Sequence, residues 1–291
     1  VKKDKVYPLY LAFGALILYG TLYLAPGLMG IGYTFTDWSS YSKELHFVGF
    51  ENIRKILSSD SEYLKYIVNT LRFTFFTVFL KTAFGLLFAT MLVQDMRGRD
   101  VYRATLFMPA VLSLLVTGLV FKSILNPSTG LLNGSLRAGG LDFLARKWLV
   151  DPSIAFSSII AVDVWRGTGY IMCIIIAGLQ SISHDYYEAA IIDGANAWQT
   201  FRFVTMPMLM PALTVTTVLN MIYGLKVFDV VYVLTNGGPG RVTEVLYTSV
   251  FREFSQGKYA LSTAMASLMF VVMIVVGYFV IRVMNREETA T

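Results

Sequence analysis

The chain has little with which to do covalent chemistry: 291 residues contain one cysteine and two histidines. Cys173 stands alone in an apolar run, which excludes an internal disulfide framework and a cysteine-rich metal site and leaves it as a small packing residue. His46 and His184 fall in loops expected on opposite sides of a membrane, and no nucleophile, base and orienting group gather around either. A His-Glu-x-x-His run is missing, and so is Gly-x-x-x-x-Gly-Lys-Ser/Thr, so neither metalloprotease chemistry nor ATP hydrolysis is expected of this chain. Also missing is any continuous polar stretch long enough to fold as a separate soluble catalytic domain. Charged residues make up only 15% of the whole, and the basic ones lie scattered at the ends of apolar runs. The pI near 9.1 therefore points to membrane topology and not to a nucleic-acid patch.

What is present is apolar surface. A hydrophobic fraction of 55% and a mean hydropathy of +0.59 exceed what a water-exposed globule tolerates, so lipid must cover much of the chain. Backbone polar groups in lipid must be satisfied within a helix or a closed barrel, and these runs are too long for barrel strands. The expected fold is all-α, with six transmembrane helices over 9–33, 70–93, 104–125, 154–180, 207–233 and 259–284. Lys2, Lys3 and Lys5 before the first run resemble a secretory signal, but the run is longer than a signal core and reads as a retained span.

Basic residues are densest in the tight second connection, at Arg97, Arg99 and Arg103, and flank both ends of the chain, at the N-terminal lysines and at Arg282 and Arg286. Both termini are thus expected in the cytoplasm, although Lys43, Arg54, Lys55, Arg146 and Lys147 lie in the longer opposite loops. This orientation places the connection 181–206 inside the cell. It leaves outside three segments carrying turn residues such as Asn126-Pro127 and Gly237-Gly238-Pro239, candidate docking surfaces for an external partner. Expected divisions are 1–68, holding the first span and an external loop, 69–284, holding a five-helix core, and a tail over 285–291. No short-period repeat is present.

The connection 181–206 is the most informative stretch. Ser183 can cap a short helix that Gly194 would end in a left-handed residue, and Asn196 with Gln199 has the spacing of a capping box for a second. Tyr187, Ala190, Ile191 and Gly194 fall at i, i+3, i+4 and i+7, giving a small apolar face suited to a partner's groove, with Glu188 at its rim. An interfacial helix lying on the membrane would show the same features. The run Glu188-Ala189-Ala190, Asp193-Gly194-Ala195, then Pro207 and Pro211, resembles the loop of permease subunits in ATP-binding-cassette importers known as the EAA loop. More specifically, the chain is similar to carbohydrate-importer permeases of the maltose type. Phe50-Glu51-Asn52, Asn69-Thr70, Met108-Pro109, Asn126-Pro127 with Gly130-Leu131-Leu132-Asn133, and Leu234 to Pro239 extend the likeness over almost the whole length. The chain departs from the maltose prototype in having six spans and no long external insertion, the compact form of that family.

The resemblance implies a type I ABC importer permease fold in a bacterial cell membrane and a specific set of partners. Two homologous permeases would pair about a pseudo-twofold axis, each loop seated in one subunit of an ATPase dimer, with an external solute-binding protein delivering sugar. Coupling roles would fall to Glu188, Ala189, Ala190, Asp193, Gly194, Arg202 and Pro207. Here Gly194 permits close backbone approach, and Glu188 can pair with a basic group of the cleft or with its own helix neighbours. This chain would bind no cofactor itself, ATP and Mg residing on the ATPase, and it would not be an enzyme.

Polar residues inside spans are costly and mark internal pairs or a solute path. Asp163, Gly167 and Tyr170 share one face of the fourth span, offering an acceptor, a gap and an aromatic hydroxyl; Asn220, Tyr223, Gly224 and Val227 form a stripe on the fifth. The resemblance assigns both regions to the sugar site. The alternative is that Asp163 pairs with Arg166 and Lys226 with Asp229 at i, i+3 spacing, and that the Tyr and Gly stripe is helix packing. Rival functions are a secondary, ion-coupled transporter, against which the single coupling loop argues, an importer of a glycerol phosphate-type solute, and a membrane-embedded enzyme.

Overall fold

A computed structural model describes residues 12–59 and 61–288, with helix over most of that length. In chain order the helices are α1 (Phe13–Tyr33), α2 (Glu51–Leu57), α3 (Glu62–Leu92), α4 (Arg99–Val111), α5 (Leu114–Ile124), α6 (Leu131–Ala138), α7 (Ala155–Gln180), α8 (His184–Ile192), α9 (Ala197–Leu225), α10 (Asp229–Leu234), α11 (Leu246–Ser255) and α12 (Tyr259–Glu288). Helices α1, α3, α7, α9 and α12 are each long and apolar enough to cross a membrane, and α4 with α5 supplies the sixth span as a bent pair. The first span is described from residue 12 onward. Its expected start at 9, the N-terminal lysines and residues 289–291 of the tail lie outside the described residues.

Two expected spans differ from what folds. The third, expected as one helix over 104–125, breaks at Leu112 and Ser113, where α4 and α5 meet at 98°. Pro109 has no amide hydrogen for the helical ladder, and both break residues take extended ψ angles, 139° and 137°. Such a break survives in a membrane only where protein satisfies the freed groups, and Arg166 Nε donates to the Leu112 carbonyl at 3.3 Å. The fifth, expected over 207–233, begins ten residues earlier at Ala197 and ends at Leu225, with the short α10 separate beyond it. Pro207 does not start the helix. The chain widens into a π turn over Phe201–Thr205 just before it, the same response seen over Gly20–Leu24 ahead of Pro26 in α1.

The described chain divides into two compact units, Val1–Leu64 with Ser249–Val271, and Lys65–Thr248 with Val272–Thr291. In the first, Asn52 Nδ2 donates to the carbonyls of Thr34 (2.9 Å) and Thr36 (2.8 Å), closing the chain after α1. Trp38 lies between the rings of Tyr33 (4.2 Å) and Tyr259 (4.8 Å), and its carbonyl accepts from the Ala260 amide. No residue of α1 is buried, as suits a helix whose solvent is lipid.

The second unit carries two apolar clusters. One is built on Phe73, Phe156, Ile159, Val162 and Val231, the other on Ala89, Ile171, Met172, Ile175 and Leu209. Both α3 and α7 run through both clusters, and between them along each helix lies a polar centre. Two asparagines pin the segments expected outside. Asn133 Nδ2 donates to the carbonyls of Pro127 and Arg146, while its Oδ1 accepts from the Arg146 amide and the Trp148 indole. Asn69 Nδ2 donates to the carbonyls of Val242 and Glu244, so Asn69-Thr70 and the glycine-rich loop after α10, separate motifs in sequence, meet in space.

Candidate functional site

Two regions carry the candidate residues, and the loop between α7 and α9 is the simpler. Ser183 Oγ accepts from the Asp185 amide to open α8, and Asp185 in the first turn suits the positive end of the helix. Asp193 ends α8 and Gly194 follows at φ +76°. The Gly194 amide donates to the Ile191 carbonyl at 3.0 Å and the Ala195 amide to the Ala190 carbonyl at 2.9 Å, the two closures of a Schellman motif. Nothing lies within 4 Å of where a Cβ at 194 would sit, so within this chain the glycine serves the turn alone. The capping box forms as the spacing requires: Asn196 Oδ1 accepts from the Gln199 amide at 3.0 Å, and Gln199 Oε1 from the Asn196 amide at 2.8 Å.

The apolar face is not the one the spacing gave. Ala190 is buried and Tyr187 half-buried, while Ile191 and Gly194 are exposed. The cause is that α8 lies against the start of α9, where Thr205 Oγ1 donates to Tyr187 Oη at 3.5 Å. What the loop turns outward is Ile191 and Ile192, 71% and 85% exposed, together with Trp198 and a Glu188 that makes no ion pair among the described residues. Ala189, Asp193 and Arg202 are exposed too, and Pro207 sits half-buried inside the continuous helix. A cleft of about 610 Å³, lined by Gln94, Asp95, Gln180, His184, Tyr187 and Phe201 among others, opens where α8 meets the ends of α3 and α7.

The second region is the polar centre. Lys81 of α3 and Asp163 of α7 are 3% and 1% exposed, and Lys81 Nζ lies 2.6 Å from Asp163 Oδ2. At that distance the two charges form a contact ion pair. Tyr223 of α9 donates its hydroxyl to Asp163 Oδ1 at 2.9 Å, and Lys81 Nζ stands 4.5 Å from the centre of the Tyr223 ring, within cation–π range. Three spans thus meet on one carboxylate. The reason Gly167 is needed also becomes plain: a Cβ there would lie 2.6 Å from Lys81 Cε, so the lysine reaches Asp163 through the space this glycine leaves.

The remaining predicted residues divide by depth. Tyr170 is exposed and Gly167 half-exposed. Gly224 is buried against Thr74, whose Cα would be 2.9 Å from a Cβ at 224, and Val227 is buried in an apolar cluster. Asn220 is 6% exposed, with no partner for Nδ2 among the described residues. The i, i+3 ion pairs do not form: Asp163 takes Lys81, Arg166 is held at the broken span, and no ion pair joins Lys226 to Asp229 among the described residues. Helical spacing missed Lys81 because its partner is on another helix. A lysine in the apolar run of the second span was itself the available signal.

The family model described as binding-protein-dependent transport system inner membrane component matches residues 66–288. The chain is 36% identical over 235 residues to the trehalose/maltose transport system permease protein MalF of Thermococcus litoralis, covering 81% of this chain and 79% of that protein. It is 32% identical over 274 residues to the multiple sugar-binding transport system permease protein MsmF of Streptococcus mutans, covering 94% and 93%. The fold matches a chain in the crystal structure of a bacterial ABC transporter involved in the import of the acidic polysaccharide alginate. The TM-score is 0.82 at 24% identity, over 96% of this chain and 95% of that one.

Proposed function

We propose, for a chain that belongs to the family of binding-protein-dependent transport system inner membrane components, that it is the permease subunit of an ATP-driven importer whose cargo is a sugar or oligosaccharide. Relatives named for trehalose and maltose and for multiple sugars support the cargo. An external solute-binding protein would deliver it, a second homologous permease would complete the pore, and an ATPase dimer carrying ATP and Mg would drive the cycle. This chain is a multi-pass membrane subunit and contributes no catalysis. Both termini face the cytoplasm in this reading, because the densest basic connections do so.

The observation that carries the proposal is the loop between α7 and α9. Its short helix α8 is closed by a Schellman motif and the start of α9 by a capping box, so the bend between them is fixed by its own hydrogen bonds. Outward it presents Ile191, Ile192, Trp198 and a Glu188 with no ion pair among the described residues, an apolar patch with one charge at its edge, which suits a groove with a basic rim. Movement of that patch reaches the fourth and fifth spans directly, since the loop joins them. Asp163, Gly167 and Tyr170 on the fourth span, Asn220, Tyr223 and Gly224 on the fifth, and Val227 just past its end form the proposed solute-facing region, with Tyr170 exposed, Gly167 and Tyr223 half-exposed and the others buried.

The test is the assembled transporter in proteoliposomes. Glu188→Ala is expected to reduce ATP-driven sugar uptake by about tenfold, as loss of one charged partner at an interface does, at unchanged permease levels. Full uptake with ATP hydrolysis still coupled would overturn the coupling role. Uptake that persists without the ATPase and follows an ion gradient would replace the importer with a secondary transporter.

A further inference from the structure

The cleft beside α8 has no part in the transport path described above, and its chemistry differs from that of the other large cavities in the second unit. Those run along α3, one against α4 and α7 and one against α9 and α12, and are lined almost wholly by apolar side chains, as suits surface whose solvent is lipid. The cleft beside α8 is mixed, with amides, a carboxylate and an imidazole facing aromatic rings. We propose that it is a second saccharide site, on the side of the coupling loop, where an uncharged sugar already imported binds between α8 and the core and slows the ATP-driven cycle. The proposal rests on the permease reading and adds a regulatory ligand to it.

Three walls supply the polar groups. Gln94 and Asp95 come from just past α3, Gln180 from the end of α7, and His184 and Tyr187 from α8. The side chains of Gln94 and Gln180 and the His184 imidazole make no hydrogen bond among the described residues, while Asp95 spends Oδ1 on Arg99 at 2.9 Å and keeps Oδ2. Two amides, a carboxylate oxygen and an imidazole form a set of donors and acceptors fit for neighbouring hydroxyls. The rings of Tyr187 and Phe201 add the apolar surface that suits the C–H face of a sugar. At about 610 Å³ the cleft falls within the ~300–1,000 Å³ of small-molecule sites and has room for a disaccharide.

Its position gives a ligand leverage on the coupling loop. Tyr187 accepts from Thr205 of α9, and Phe201 stacks at 5.8 Å on Trp198, a residue of the outward patch that the ATPase is proposed to meet. A sugar held by Gln94 and Gln180 on one side and by His184 and Tyr187 on the other ties α8 to the ends of α3 and α7. It binds most tightly with the loop placed as it is here, and through that differential affinity it opposes the displacement on which the cycle depends. Sugar accumulating inside therefore slows its own import.

The experiment uses the complete transporter in nanodiscs without the external binding protein, with maltose and trehalose as probes. Equilibrium binding of the labelled probe and the rate of ATP hydrolysis are measured together. At least one probe is expected to bind and, at saturation, to slow hydrolysis at least about fivefold, the low end of coupling between two sites. Gln94→Ala combined with Gln180→Ala, at two exposed positions, should abolish the slowing and leave hydrolysis without sugar unchanged. Tyr170→Ala, in the proposed solute path, should leave the slowing intact. Binding of neither probe, or binding without slowing, overturns the proposal. So does slowing that survives the double substitution or disappears with Tyr170→Ala, because the sugar then acts from the solute path. All of these outcomes leave the permease reading standing; absence of ATP-driven uptake of any sugar in proteoliposomes would sink that reading itself.

Discussion

The loop between α7 and α9 and the polar centre of the second unit are built in opposite ways. The loop is local: its closing bonds join residues two to five apart, Asp185 with Ser183, Gln199 with Asn196 and Ala195 with Ala190, and most of its side chains are exposed. The polar centre is remote: Tyr223 meets Asp163 across 60 residues, and Lys81 comes from a third helix. A locally closed loop keeps its shape while presenting apolar and charged groups that nothing in the chain covers, which is what a docking element needs. A buried ion pair does the reverse, since it stabilises only when its helices are correctly placed. Substitutions in the first should therefore change function at nearly constant stability, and those in the second should change stability first.

The sharpest way to break that contrast is Lys81→Ala. It strands a buried carboxylate, so a loss of ~3–5 kcal/mol is expected, read as a lowered melting temperature in detergent and reduced permease in the membrane. A fully stable variant would mean that the pair does not hold the three spans. Tyr223→Phe removes one hydrogen bond to the charged group and should cost ~1.5–3 kcal/mol in the same assay, with the ring, and so its contact with Lys81, retained. On the loop side, Gly194→Ala meets no steric obstacle but forces a side chain into positive φ. About 1–2 kcal/mol of local strain is expected, appearing as weaker ATPase assembly in pull-down and not as a lower melting temperature. Asn196→Ala should have the smallest effect, ~0.5–2 kcal/mol on the first turn of α9, detected as faster amide exchange confined to 197–200. Global unfolding by either loop variant would show that the loop is part of the core after all.

Sequence spacing was sufficient for the loop because capping is a matter of neighbours. Ser183, Gly194, Asn196 and Gln199 declare their hydrogen bonds at fixed offsets, and those bonds form. It failed for the loop's outward face, because burial of Tyr187 and Ala190 depends on where α9 begins, and α9 begins before Pro207 and not at it. The bend in the third span is not legible in the sequence, whose apolar run reads as one helix over 104–125. Pro109 removes an amide donor near the break, and the 98° turn holds because Arg166, from another helix, reaches the freed carbonyl of Leu112.

By itself the sequence determined the membrane class, since apolar runs of span length have no other way to satisfy their backbone, and it determined the capped loop, whose bonds close within a few residues. Only the tertiary structure decided what Asp163 is paired with. On one helix its nearest cation is Arg166, three residues on; across helices it is Lys81, admitted by the missing side chain of Gly167. In a low-dielectric interior the contact at 2.6 Å outweighs spacing along the chain. The joining of three spans on one carboxylate follows from that pairing, and no reading of the chain one helix at a time contains it.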